Sequence, residues 1–186
     1  MAKIFIFRHG ETTDNREHIF SGWRDVDLTP EGVQEAKGIG EKLRAEIVTK
    51  AYQSDLIRSK HTLEIVLNGF HQGVEVITDP RIKERDYGNL TGKNKDEIEK
   101  EYPKFYPMWH RSYEEIPPGG ESLKMVEERV LPFIEEMKAN LKKDDLVFIS
   151  AHGNSIRPMR RYFEHLSTDE ISKYEYTPGE IFEYQI

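Results

Sequence analysis

The chain has 186 residues, 37% of them hydrophobic and spread along its whole length, which suits one compact domain with a sizeable buried core and is too short for two ordinary ones. Lys and Arg number 27 against 34 Asp and Glu, and the net charge of −7 opposes non-specific attraction to nucleic acid or to an anionic membrane surface. The absence of cysteine excludes disulfides, thiolate metal sites and a cysteine nucleophile, and agrees with a reducing compartment.

At the N-terminus the apolar run Ile4-Phe5-Ile6-Phe7 is cut off by Arg8, too short for a signal-peptide core, and no stretch is long enough to span a bilayer. The expectation is a cytoplasmic protein with neither membrane nor nucleic acid as partner. Lys3 to Phe7 is β-branched and aromatic and reads as a buried strand that ends at Arg8-His9-Gly10. Thr29-Pro30-Glu31 supplies an N-cap hydroxyl, a proline at the first helical position and an early acid, so a helix is predicted from there to about Glu46. Val48 to Gln53 is the next strand candidate. Leu63, Val66, Leu67 and Phe70 recur at helical spacing and predict a helix from about Arg58 to Phe70, with a strand following at Val74 to Thr78.

Strand, helix, strand, helix, strand is an α/β pattern. From Asp79 to Gly120 runs a polar stretch rich in Gly, Pro and charge, with one helix candidate near Asn94 to Tyr102. Such an excursion in a compact domain reads as a functional cover, within a single domain spanning 1–186. From Ser122 the residues Val126, Val130, Phe133, Ile134, Met137 and Leu141 form one apolar stripe, in which Pro132 should kink or bend the helix. Leu146 to Ser150 is a strongly apolar strand entering Ala151-His152-Gly153-Asn154 and a further helix; a last strand is predicted at Glu180 to Tyr184.

Two strands therefore end in a His-Gly pair. In Arg8-His9-Gly10 the guanidinium offers a bidentate fork for phosphate, and the glycine should let a bulky anion approach the backbone. A neighbouring cation disfavours imidazolium and keeps His9 neutral and nucleophilic. Asn15 and the turn Phe20-Ser21-Gly22-Trp23 add amide donors beside that site. Arg58 stands at a helix start, where free N–H groups and the helix dipole favour an anion. Glu84, in Lys83-Glu84-Arg85-Asp86-Tyr87-Gly88, is the candidate acid and base, because a carboxyl near a phosphate has its pKa raised by the like charge.

Arg8-His9-Gly10-Glu11, Phe20-Ser21-Gly22-Trp23, Glu84 to Gly88 and Ala151-His152-Gly153-Asn154-Ser155-Ile156-Arg157 together resemble the histidine phosphatase superfamily, over nearly the whole chain. Leu90-Thr91-Gly92-Lys93-Asn94-Lys95, Trp109-His110-Arg111-Ser112-Tyr113 and Ile116 to Ser122 resemble the substrate-cap segments of its 2,3-bisphosphoglycerate-dependent phosphoglycerate mutases. The resemblance implies a three-layer α/β/α sandwich with a mainly parallel sheet, and a phosphohistidine formed at His9 with Arg8, Arg58 and His152 around the transferring group and Glu84 as acid and base. It further implies that Asn15, Ser21, Gly22, Gly153 and Asn154 line the pocket, while Tyr87, Lys95, His110 and Arg111 meet the far end of a phosphoglycerate. The reaction implied is interconversion of 3-phosphoglycerate and 2-phosphoglycerate, primed by 2,3-bisphosphoglycerate and needing no metal; dimers are common in that branch, so a homodimer is the associated assembly.

Two features depart from the mutase pattern. His110 stands where the branch has the first of two arginines, exchanging a permanent cation for a titratable group, and the sequence ends at Ile186 directly after the last strand candidate, without the tail that often covers the mutase site. Water admitted to such a site would turn transfer into hydrolysis, which makes a phosphomonoesterase the alternative; a non-catalytic phosphometabolite-binding module is the remaining one. His18, His61, His71 and His165 have no ligand-like spacing and read as surface or packing residues. A metal held by His9, His152 and a carboxylate is disfavoured by the arginines alongside. Trp23, Tyr102, Phe105, Tyr106 and Trp109 read as core or cap packing, and Glu97 to Glu101 and Glu135-Glu136 as solvated helix faces.

Overall fold

The apolar strand β1 (Lys3–Arg8) lies beside β4 (Leu146–Ala151), every residue of which is buried, as expected of a strand covered on both faces. The computed structural model, which describes residues 1–68 and 73–186, adds β2 (Lys50–Gln53), β3 (Glu75–Thr78) and β5 (Ile181–Gln185) in the order β3-β2-β4-β1-β5. The first four strands run parallel, and β5 pairs antiparallel with β1 at one edge.

Side-chain alternation along β1 divides the core. Ile4 and Ile6 face one side with Val147 and Ile149, against Val126, Val130, Phe133 and Ile134 of α6 (Leu123–Ala139) and Ile156 and Met159 of α7 (Gly153–Glu164). Phe5, Phe7 and Phe148 face the other, against Ile39 and Leu43 of α2 (Pro30–Leu43) and Leu63 and Val66 of α3 (Ile57–Leu67). Helices thus cover both faces, giving the expected three-layer α/β/α sandwich. Each of these fully buried aliphatic or aromatic side chains contributes about 1.5–3 kcal/mol relative to exposure.

Several boundaries differ from the sequence reading. The α2 helix stops at Leu43 rather than Glu46, β2 starts at Lys50 rather than Val48, and β3 starts at Glu75 rather than Val74. Of the stripe predicted to reach Phe70, α3 keeps the part to Leu67; Phe70 and His71 lie outside the described residues. The stripe of α6 forms one helix with Pro132 inside it. Short helices α1 (Thr13–Arg16), α5 (Tyr106–Arg111) and α8 (Thr168–Lys173) were not apparent from periodicity, being too brief to show a repeat.

The excursion after β3 is more ordered than its composition suggests. It holds two 3₁₀ turns, α4 (Lys95–Glu101) and α5, and closes over its own small core of Tyr87, Leu90 and Ile98 with Phe20, Tyr106 and Trp109. Buried Arg85 and half-buried Arg129 fix its loops by donating to backbone carbonyls: Arg85 to Glu121 at 2.6 Å and Glu115 at 3.2 Å, and Arg129 to Arg81, Lys83 and Glu84 at 2.6, 2.9 and 2.8 Å. Among the described residues no helix is long and apolar enough to cross a membrane.

Candidate active site

Parallel pairing places Arg8 opposite Ala151, so the two strands deliver His9 and His152 side by side. The His9 amide extends the ladder by donating to the Ala151 carbonyl at 3.0 Å, and the two rings stand 5.0 Å apart between centroids. Both are buried, His9 at 5% exposure and His152 at 0%. Burial, reinforced by Arg58 and then Arg8, holds the His9 pKa well below the ordinary 6.5, so the ring is neutral. The first cause is desolvation rather than the neighbouring cation inferred from the sequence. Nδ1 lies 2.8 Å from the Gly10 carbonyl, which can only accept; the neutral ring therefore carries its proton on Nδ1 and presents an unprotonated Nε2.

Ser54 fixes the second ring. Its hydroxyl accepts from the Leu56 amide at 3.2 Å and lies 2.7 Å from His152 Nε2. The His152 pKa is also held well below 6.5, by burial first and then by Arg58. Arg58 is 1% exposed, and its fork donates to the Arg24 and Gly22 carbonyls at 2.7 and 2.9 Å. His152 Nδ1, Arg58 Nε and Arg8 Nε are all buried without a hydrogen-bond partner in the protein. An unmet buried N–H costs about 1–3 kcal/mol. The two guanidinium N–H groups, with the His152 ring, form a site for an anion beside His9.

Two sequence inferences need correction here. Gly10 does not open the backbone to a ligand: a Cβ on it would lie 2.2 Å from the Gly32 carbonyl oxygen, so it is required where β1 abuts the start of α2. Nor is the first turn of α3 free for an anion, since the Ile57 amide already donates to Asp25 at 2.7 Å. The helix terminus that faces the site is that of α7, where the Asn154 amide donates to Glu84 Oε1 at 3.2 Å. Gly22 has φ +50°, a left-handed turn that suits glycine.

Glu84 Oε1 also accepts from the Arg85 amide at 2.7 Å, and its carbonyl is gripped by Trp23 Nε1 at 2.7 Å and by Arg129. The carboxylate is thus held by backbone on both sides. One atom each of Glu84, His9 and His152 lies within 4.8 Å of the others, a spacing that would also admit a metal ion. Arg8 and Arg58, which act on both rings, oppose a cation there.

Above these groups opens a cavity of about 170 Å³ lined by Arg8, Asn15, Ser21, Gly22, Glu84, Tyr87, Lys95, His110, Arg111, Gly153 and Asn154. Every residue expected in the pocket is there, with His9, Arg58 and His152 buried beside it. Asn154 Nδ2 donates to the Tyr87 hydroxyl at 3.1 Å. Lys95 is largely buried, and burial with Arg8 and Arg111 draws its pKa down. His110 is lowered to about 3, by burial first and then by Arg111 and Lys95, so its ring is neutral. The sequence reading missed Ile19, Arg157, Glu175 and Tyr176, which complete the lining. Arg157 stands inside a quoted motif and was within reach; Glu175 and Tyr176 follow α8 with no local signal. Of the other described histidines, His18 lies beside Asp96 at 3.3 Å, His61 beside Asp27 at 2.8 Å, and His165 in the left-handed position that ends α7.

A mainly parallel sheet sets two neutral imidazoles at adjoining strand ends beside the guanidiniums of Arg8 and Arg58, a setting for an anion. The family model described as the histidine phosphatase superfamily, branch 1, matches residues 4–186, and the chain belongs to that superfamily. It is 38% identical over 188 residues to the 2,3-bisphosphoglycerate-dependent phosphoglycerate mutase of Parvibaculum lavamentivorans, covering 98% of this chain and 90% of the relative. Among solved structures it resembles Bacillus stearothermophilus YhfR, with TM-score 0.90 and 26% identity over 100% of this chain and 92% of that one. It also resembles a mycobacterial glucosyl-3-phosphoglycerate phosphatase, with TM-score 0.80 and 25% identity over 91% of this chain and 82% of that one.

Proposed function

We propose that the enzyme takes a phosphoryl group from a small phosphorylated metabolite onto His9 Nε2 and passes it on. The observation that carries this reading is the coincidence of an unprotonated Nε2 with buried, unpartnered nitrogens on the Arg8 and Arg58 guanidiniums and the His152 ring. In the first step the Nε2 lone pair forms a P–N bond while the P–O bond to the leaving alcohol breaks; the Arg8 and Arg58 guanidiniums hold the non-bridging oxygens as charge shifts among them. Glu84 acts as the general acid and gives a proton to the departing oxygen. In the second step an acceptor hydroxyl attacks phosphorus, its proton goes to the Glu84 carboxylate, and the P–N bond breaks to restore neutral His9.

The acceptor separates two readings. Water as acceptor makes the enzyme a phosphomonoesterase, supported by the likeness to a solved phosphatase and by a pocket rim at which the Glu175 side chain is 75% exposed. A phosphoglycerate hydroxyl as acceptor makes it a mutase primed by 2,3-bisphosphoglycerate, supported by the relatives at 38% identity and by Lys95 and Arg111 at the far end, which suit a carboxylate. Both readings use the two histidines, two arginines and Glu84 in the same way, without a metal.

Incubation with 2,3-bisphosphoglycerate and 3-phosphoglycerate under phosphorus NMR tests the acceptor. Phosphate release without isomer exchange supports the esterase; exchange outpacing release supports the mutase. His9→Ala should abolish both turnover and the trapping of labelled phosphate on the protein, and turnover that survives this change would remove His9 as nucleophile.

A further inference from the structure

The far end of the pocket contains a carboxylate as well as cations. Glu175 lies between α8 and β5 and places Oε1 2.6 Å from Arg111 Nη2, and both residues line the catalytic cavity with Lys95. The backbone on either side of Glu175 is anchored from beneath. Arg157 donates to the Ile171 carbonyl and to the Tyr174 carbonyl at 2.9 Å, and the Tyr176 hydroxyl donates to the Gly153 carbonyl at 2.8 Å. The carboxylate therefore projects from a fixed stretch of chain, while its own side chain is 75% exposed and that of Arg111 is 33% exposed. A solvated ion pair of this kind is weak and can be exchanged for another carboxylate at little cost.

We infer that Glu175 is a specificity-determining residue: its carboxylate occupies the Arg111 guanidinium that an acidic substrate would engage, and so tempers the preference of the site for phosphate esters that also carry a carboxylate. This rests on the proposed function for the identity of the pocket, and adds the substrate class that the far end selects. Glu175 bears on such a ligand in two ways. It competes for Arg111, and its charge partly cancels the attraction of Lys95, on which it also acts. An ester with a neutral group at that end needs neither cation and gains nothing from their release. Removing the negative charge should therefore improve the binding of acidic esters over neutral ones by roughly two- to fivefold, the scale of an exposed pair.

The test compares 3-phosphoglycerate with glycerol 3-phosphate, which differ by a carboxylate against a hydroxymethyl group. Calorimetric affinities are measured for Glu175→Gln, Arg111→Ala and the double variant against the parent, each in a His9→Ala background so that ligand is not consumed. The expected result is a two- to fivefold rise in discrimination toward 3-phosphoglycerate in Glu175→Gln, smaller at 0.5 M salt and absent where Arg111 is also removed. Unchanged or reduced discrimination, or a rise that persists without Arg111, overturns the inference. Consumption of ligand in the His9→Ala background counts instead against the phosphohistidine reading, and affinities taken at early times still decide the role of Glu175.

Discussion

Mild acid should destabilise this protein well before its carboxylates titrate. His9, His152 and His110 are all held neutral in the folded state, the first two well below 6.5 and His110 at about 3, with burial the leading cause in each. In the unfolded chain each regains a value near 6.5, so below that pH the unfolded state binds more protons and stability falls as pH falls. A single such group costs RT ln(1 + 10^(6.5 − pH)), which is about 1.4 kcal/mol at pH 5.5 and below about 0.1 at pH 7.5. Three groups together give a loss of about 4 kcal/mol over those two units, a large share of the roughly 5–15 kcal/mol that holds a domain folded. Carboxylates with depressed values, such as Asp79 and Glu164, withdraw their support only at lower pH.

Urea denaturation in phosphate-free buffer at pH 7.5, 6.5 and 5.5, with a common m-value, reads the loss directly. Thermal scans should show a fall of about 8–16 °C over the same range. His110→Gln removes one of the three titrations and should retain about 1.4 kcal/mol more of its neutral-pH stability at pH 5.5 than the parent retains. A denaturation midpoint that holds from pH 7.5 to 5.5, or an unaltered pH slope in His110→Gln, would refute the assignment of buried neutral imidazoles.

Three substitutions probe the framework of the site. Arg58→Met deprives the Gly22 and Arg24 carbonyls of their donors and takes a cation from beside His9; kcat/KM should fall about 10²–10³-fold, and the acid limb of the pH–rate profile should move upward, measured by steady-state kinetics against Arg58→Lys. Ser54→Ala leaves His152 Nε2 buried without its hydroxyl and frees the ring to change tautomer, so urea melts should show about 1–3 kcal/mol less stability and kcat should drop more than KM changes. Gly10→Ala drives a methyl group to 2.2 Å from the Gly32 carbonyl oxygen and should cost about 1–3 kcal/mol or more in the same assay, whereas Gly153→Ala, whose nearest neighbour would lie at 3.6 Å, should be tolerated by the fold.

Much of the site was legible because its chemistry sits in short contiguous runs. A strand ending in Arg-His-Gly and a second ending in Ala-His-Gly are visible residue by residue, and two parallel strands that end level must bring their termini together. The pocket residues of the excursion were readable by likeness to a known cap, while their order in space was not. Ser54 meets His152 across 98 residues of sequence, Trp23 meets the Glu84 carbonyl across 61, and Glu175 meets Arg111 across 64. No window of periodicity reaches so far. The role assigned to Gly10 failed for the same reason: what fills the space beside it is Gly32, which belongs to another element.

The amino-acid sequence by itself determined the α/β layering, since its apolar runs have strand length and its stripes have helical period, and it determined which side chains are able to carry a phosphoryl group. Tertiary structure alone decided their states. Protonation depends on how much water is excluded and which charges lie near, so the neutrality of His9, His152 and His110 and the pairing of Arg111 with Glu175 arise only once distant segments meet.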